Sequence, residues 1–246
     1  MMSNNSNQGS KTQQVEAMFN DIAPKYDFLN HFLSLGIDKI WRRKVIRKII
    51  AEKPSDVLDI ATGTADLAIV LAKKLLDVKI TGVDLAENML EVGRKKVESL
   101  NLSNRITLKQ GDSLSLPFAD ESFDSAMVAF GVRNFENPVA GMAETHRVLR
   151  PNGKYYILEF SMPRRFPMAQ LYRFYFWAIL PLIGRMVSGH KKAYTYLPES
   201  VSAFPDGLNF VRLMEEAGFT SCKYQKLSFG IATIYVGEKI KVTPNA

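Results

Sequence analysis

A chain of 246 residues with 46% apolar composition is long enough for one large α/β domain and too apolar for a disordered protein. Its one cysteine, Cys222, excludes an internal disulfide and a cysteine-based zinc cluster, and fits a reducing compartment. The net charge of +7 concentrates in two places: seven cations against one acid, Glu52, between Lys39 and Lys53, and an acid-free run from Phe160 to Pro198 holding Arg164, Arg165, Arg173, Arg185, Lys191 and Lys192. Such patches suit a membrane surface or nucleic acid, or are simply solvated faces.

In chain order, residues 1–14 are polar, lack the apolar stretch of a secretion signal and read as a disordered tail. Residues 12–35 carry Val15, Met18, Phe19, Ile22, Tyr26 and Leu29 at helical spacing, interrupted at Pro24. Residues 38–52 read as a second helix, basic on one side, with Trp41, Val45, Ile46 and Ile49 on the other and Pro54 after it. Strands are expected at 57–61, 79–84, 105–110, 123–130 and 154–160, with helices ending near Lys74 and spanning 87–99 and 138–149, the last stopped by Pro151 and Gly153. Alternation of this kind implies right-handed βαβ units and a mostly parallel sheet with helices on both faces. Residues 166–187 are rich in aromatics, but the apolar run between Arg173 and Arg185 is only 11 residues, short of the ~20 needed to span a bilayer. A helix at 206–217 follows. Strands at 221–228 and 230–236, joined around Gly230, close seven strands with an antiparallel hairpin. The domain plan is a tail at 1–14, an N-terminal helical lid at 15–54 and one domain at 55–240, with an apolar helical insert at about 163–200.

Asp59-Ile60-Ala61-Thr62-Gly63-Thr64-Ala65-Asp66 stands where the first strand turns into a helix, so small residues let a ligand approach backbone N–H groups. A dinucleotide fingerprint needs G-x-G-x-x-G, but Ala65 and Ala68 occupy its second and third small positions. A pyrophosphate demands closest approach at the second, so the pattern favours S-adenosyl-L-methionine over NAD. Asp84 ends the second strand 21 residues after Gly63, placed to bond both ribose hydroxyls. Asp112, in GDSLSLPF, can accept from the adenine amine, with Ser113 beside it. Read alone, Asp112 is also an ordinary turn residue.

DIATGTADLA, GVDLAENMLEVGRKK, GDSLSLPFADESFDSAMVAFGVRN and HRVLRPNGKYYILEF follow the order and spacing of a Rossmann-like class I methyltransferase. MFNDIAPKYDFLNHFLSLGIDKIWRR and YTYLPESVSAFPDGLNFVRLMEEAGF resemble the UbiE/MenG family, whose members methylate a ring carbon in menaquinone or ubiquinone synthesis. The resemblance runs from about Val15 to Val236 and puts cofactor contacts at Thr62, Asp84, Asp112 and Ser113. Ala129 replaces a serine common before the FGVRN motif, and Ala65 departs from the usual turn.

Methyl transfer from a sulfonium is an in-line displacement that depends on positioning. A ring carbon becomes nucleophilic when a neighbouring hydroxyl ionises, which calls for a cation or donor at the developing oxyanion. Arg133 is the candidate for that charge and Asn134 for orienting the ring; an ion pair on a loop is the structural alternative for Arg133. Tyr26 is a candidate lid hydroxyl or else a core tyrosine, and Tyr194 and Tyr196 beside His190 are weaker candidates to line the quinol pocket or supply a base. His146 reads as structural and His31 gives no signal. The resemblance implies an isoprenoid quinol substrate, favouring demethylmenaquinol, and the apolar insert flanked by cations then reads as a transient membrane contact and tail channel. A homodimer face or a core helix is the alternative for the insert. A cytoplasmic protein at the inner membrane face is expected. Nucleic acid is disfavoured, because no N-P-P-[YF] motif is present, and a non-catalytic cofactor-binding protein is the remaining class.

Overall fold

The computed structural model describes residues 10–27, 34, 36–179 and 191–241, with backbone only for residues 25 and 191–195. Helix α1 (Lys11–Ile22) begins inside the stretch read as tail. A capping box starts it: Gln13 N donates to Ser10 Oγ and Ser10 N to Gln13 Oε1, so two otherwise unpaired donors are satisfied. Pro24 sits in a single 3-10 turn, Ala23–Lys25, which ends the regular helix that periodicity extends to residue 35. Leu29 and His31 lie outside the described residues, as do His190 and the insert from 180 to 190. Helix α2 (Ile37–Ala51) follows Gly36, whose φ of 74° favours glycine.

The sheet alternates as expected: β1 (Asp56–Ile60), α3 (Asp66–Lys74), β2 (Lys79–Asp84), α4 (Glu87–Ser99), β3 (Ile106–Gln110), β4 (Phe123–Ala129), α5 (Pro138–Val148) and β5 (Leu149–Phe160). Beyond it come α6 (Met168–Phe174), a π-helical turn (Tyr175–Ile179), α7 (Lys191–Ala203), α8 (Leu208–Glu216), β6 (Thr220–Leu227) and β7 (Ala232–Glu238). Strand order is β3-β2-β1-β4-β5-β7-β6, parallel except that β7 runs antiparallel to both neighbours.

One boundary differs from the pattern. β5 starts at Leu149, not 154, because Leu149 pairs with Phe123 before a register break admits Pro151 and Asn152 as a bulge. Proline is tolerated there since no ladder N–H is required of it. Asn152 N instead receives its neighbour from outside the strand, donating to Lys239 O at 2.6 Å.

Two cores sandwich the sheet. One packs Trp41, Val45 and Ile49 of α2 with Leu71 of α3 and Val97 of α4; the other packs Met142 of α5 with Phe210 and Met214 of α8. Each such side chain contributes about 1.5–3 kcal/mol when fully buried. Together they fix the strand ends from which the loops of the site project. Chain order reverses between β1 and β4, the place where open α/β sheets bind ligands beyond their carboxyl ends.

Candidate active site

A cleft open to solvent lies at that reversal. β1 contributes Ile60, Ala61 and Gly63; β2 contributes Val83 and Asp84; the loop after β3 contributes Gly111, Asp112 and Ser113. β4 contributes Ala129 to Gly131 and, one turn later, Asn134. Gly131 is required where the β1 and β4 loops meet, since a Cβ there would fall 2.6 Å from Ala61 Cβ.

Asp84 sits at the floor. Its Oδ2 accepts Gly63 N at 2.8 Å and its Oδ1 accepts Ala86 N at 2.9 Å, which leaves lone pairs on both oxygens for vicinal hydroxyls. Burial raises its pKa, those backbone donors oppose the rise, and the nearby Glu16 carboxylate adds to it. Asp112 turns Oδ1 to Leu114 N at 2.9 Å, fixing the carboxylate while Oδ2 stays available for an amine. The apolar walls of Val83, Leu85 and Met89 suit a purine between these two acids.

Helix α1 forms the roof through Thr12, Val15, Glu16 and Phe19. Tyr26 packs edge-on against Phe19, with ring centroids 5.9 Å apart, and its ring lies over Gly63. The roof is tied down at both ends. Lys11 Nζ donates to Phe135 O at 2.7 Å, Asn88 N donates to Asn20 Oδ1 at 2.9 Å, and Asp27 accepts from Thr64 and from Lys96 Nζ. Four carboxylates, Glu16, Asp84, Asp112 and Glu136, line the cleft; among the described lining residues there is no lysine or arginine.

Gly63, Asp84, Asp112, Ser113, Asn134 and Tyr26 thus share one cleft, whereas the side chains of Thr62 and Arg133 turn away from it. Thr62 Oγ1 donates to the buried Asp59 carboxylate at 2.7 Å, bracing the turn from beneath. Burial pushes Asp59 up to about 7, against the pull of that bond and of Arg42. Arg133 is 8% exposed and pairs with Glu159 at 2.9 Å. The same guanidinium nitrogen donates to Phe130 O, and the group lies 5.5 Å from the Phe160 ring centroid. Its Nε is buried without a partner.

Asn134 faces the cleft, and its Oδ1 accepts the Tyr196 hydroxyl at 3.0 Å, linking α7 to the site. Burial raises the Tyr196 phenol, so it keeps its proton and serves as a donor rather than a base. Tyr194 is described in its backbone alone. His146 packs edge-on against Phe219 with centroids 5.1 Å apart, away from the cleft. Thr12, Glu16, Glu159 and Lys96 escaped the sequence reading; only Thr12 had a local signal, in the S-x-x-Q capping box before it.

Ala65 also takes a different part from the one its position suggests. It caps α3 with φ 64° and is fully buried, its methyl near Gly93 of α4 and absent from the cleft wall. A pyrophosphate is disfavoured instead by charge, because Asp27 and Asp66 already occupy the start of α3, bridged by Lys96. The donor set therefore fits a nucleoside without phosphates.

A family model described as the ubiE/COQ5 methyltransferase family matches residues 7–239. The chain belongs to this family. As a family member it is an S-adenosylmethionine-dependent methyltransferase. It is 50% identical over 230 residues to the demethylmenaquinone methyltransferase of Porphyromonas gingivalis, covering 93% of this chain and 94% of the relative. It is 44% identical over 230 residues to the ubiquinone/menaquinone biosynthesis C-methyltransferase UbiE of Geotalea daltonii, covering 93% and 97%. Its fold matches that of a SAM-dependent methyltransferase from Thermotoga maritima with TM-score 0.63 at 19% identity, covering 91% and 99% of the two chains. Among the described residues no helix is long and apolar enough to cross a membrane.

Proposed function

We propose that this methyltransferase converts demethylmenaquinol to menaquinol. The observation that carries the reading is 50% identity, over nearly the whole of both chains, to a relative named for that reaction. Bound S-adenosylmethionine supplies an electrophilic methyl group. The protein positions it: Asp84 accepts from the ribose, Asp112 and Ser113 hold the adenine edge, Gly63 admits the backbone closely, and Thr62 supports the turn from below. Tyr26 and α1 cover the cleft and exclude water. On the opposite wall Asn134 is held by Tyr196 and orients the ring. Arg133, turned from the cleft and anchored by Glu159, contributes its positive charge from behind Asn134 to the ring oxygen that ionises. Ring methylation of a ubiquinone precursor is the second reading, favoured by the double name of the Geotalea relative.

The quinol tail calls for transient contact with the inner face of the cytoplasmic membrane. Phe166, Leu171, Phe174 and Trp177 are exposed on and beside α6, with Arg165 and Arg173 among them. The alternative use of that face, a homodimer contact, would make its exposure depend on protein concentration.

The test supplies labelled S-adenosylmethionine with reduced demethylmenaquinone in liposomes, against a ubiquinone precursor, and repeats it with Trp177→Glu. Transfer to demethylmenaquinol, with weaker liposome partitioning by the variant, is expected. Absence of transfer to either quinol overturns the reading, and unchanged partitioning of a monomeric variant overturns the membrane contact.

A further inference from the structure

Each acid of the cleft but one is answered by a donor. Asp84 accepts from Gly63 N and Ala86 N, Asp112 from Leu114 N, and Glu136 from the Thr12 hydroxyl. Glu16 lines the same cleft from the second turn of α1, half-buried, and no hydrogen bond or ion pair among the described residues engages its carboxylate. Thr12, Val15, Glu16 and Phe19 share the inward face of the helix at helical spacing. Val15 is buried and Phe19 packs on Tyr26, so Glu16 is held at the cleft by its neighbours' packing and not by a polar partner of its own.

An unanswered acid in this place opposes closure of the roof. Burial is the main cause of the raised Asp84 pKa, but the Glu16 carboxylate adds to it, as two like charges facing across a gap do. Among the described lining residues no lysine or arginine stands between them. The bonds that hold α1 down are modest: Lys96 and Asp27 are each more than a quarter exposed, and the bond from Asn88 N to Asn20 lies at the surface. The chemistry of the cofactor supplies the missing cation. Its sulfonium is joined to the ribose through a single carbon, so a ribose bound at Asp84 brings the positive sulfur to the space that Asp84 and Glu16 share.

We infer that Glu16 is a cofactor-binding residue that pairs with the sulfonium of S-adenosylmethionine, so that α1 closes on the charged cofactor and loosens on the neutral product. The inference rests on the placement of the cofactor proposed above. In the transfer the methyl carbon leaves sulfur for the ring carbon, the electrons of the broken S–C bond stay on sulfur, and the ring releases one proton to solvent. The thioether left behind has no charge at sulfur, and Glu16 and Asp84 again face each other unrelieved. A ligand shifts a two-state element only by its differential affinity for the two states, and the lost charge is such a difference. One acid on one helix thereby ties product release to completion of the transfer.

The experiment measures by calorimetry the Kd of the unmodified full chain and of Glu16→Gln for three ligands. These are S-adenosylmethionine, S-adenosylhomocysteine, and an analogue with a protonated, amine-bearing carbon in place of the methylated sulfur. Glu16→Gln should weaken the two cationic ligands about three- to tenfold, between the worth of an exposed ion pair and of a buried charge-assisted bond, and leave S-adenosylhomocysteine within about twofold. Equal weakening of all three would mean that Glu16 meets a part they share, and overturns the inference, as does no weakening at all. A second measurement needs no variant: at saturation the α1 amides of the unmodified protein should exchange hydrogen more slowly with either cationic ligand than with S-adenosylhomocysteine, and equal protection overturns it. Asp84→Asn tests the cofactor's placement separately. If it leaves every Kd unchanged, that placement fails; if it weakens all three ligands and Glu16→Gln weakens none, this inference alone fails.

Discussion

On the β1–β3 side of the cleft, recognition is done by main chain and by carboxylates fixed in place by main-chain donors. Gly63 N and Ala86 N anchor Asp84 at strand-to-helix turns, and Leu114 N anchors Asp112 in the loop between β3 and β4. On the β4–β5 side, long side chains reach across elements, Arg133 to Glu159 and Tyr196 to Asn134. The first wall is rigid before any ligand arrives. The second depends on a buried ion pair and on a bond between two side chains. On the proposed reading, the cofactor meets the wall built from main chain and the substrate meets the wall built from side chains.

The largest expected effect comes from dismantling the second wall. Glu159→Ala strands the Arg133 guanidinium in a site where both partners are nearly fully buried, and should lower stability by about 3–5 kcal/mol, read by urea unfolding. A loss under about 1 kcal/mol would mean that the pair is solvated and the two walls are alike. Next in size, Asp84→Asn weakens charge-assisted bonds to the ribose by about 1.5–3 kcal/mol, roughly a ten- to hundredfold rise in the cofactor Kd by calorimetry. The quinol KM should hold, and if both constants rise together the walls do not act separately. The smallest effect belongs to the roof. Asp27 and Lys96 are each more than a quarter exposed, so Asp27→Asn should cost about 0.2–1 kcal/mol and speed cofactor release a few-fold in stopped flow. A larger change would make the roof a third wall in its own right.

The same contrast explains what was legible in the sequence. Strand ends, the Gly63 turn and the acids Asp84 and Asp112 are written in short local patterns, because the bonds that place them span from two to 21 residues and follow chain turns. The closing hairpin was legible from Gly230 for the same reason. Arg133 was legible as a candidate but not in its orientation, since Glu159 lies 26 residues away on β5. Lys11, Thr12 and Asp27 reach 124, 124 and 37 residues ahead, and nothing in their own neighbourhood announces a partner. Polarity made residues 10–14 look like tail, although the capping box that starts a helix there was on the page. Ala65 misled in a subtler way: its place in the motif was right, but backbone conformation turned its methyl toward α4.

The carboxylates that line the cleft have a consequence for how fast it fills. The chain carries +7 overall, yet the cavity at its reversal point is walled by four acids and by no lysine or arginine among the described residues. An acidic pocket with low-dielectric walls concentrates field lines and draws in a cation from beyond contact range, while a neutral lipid ring feels little of it. Added salt, which shortens the reach of that field to about 8 Å at physiological strength, therefore slows the arrival of a sulfonium and leaves the arrival of a quinol alone.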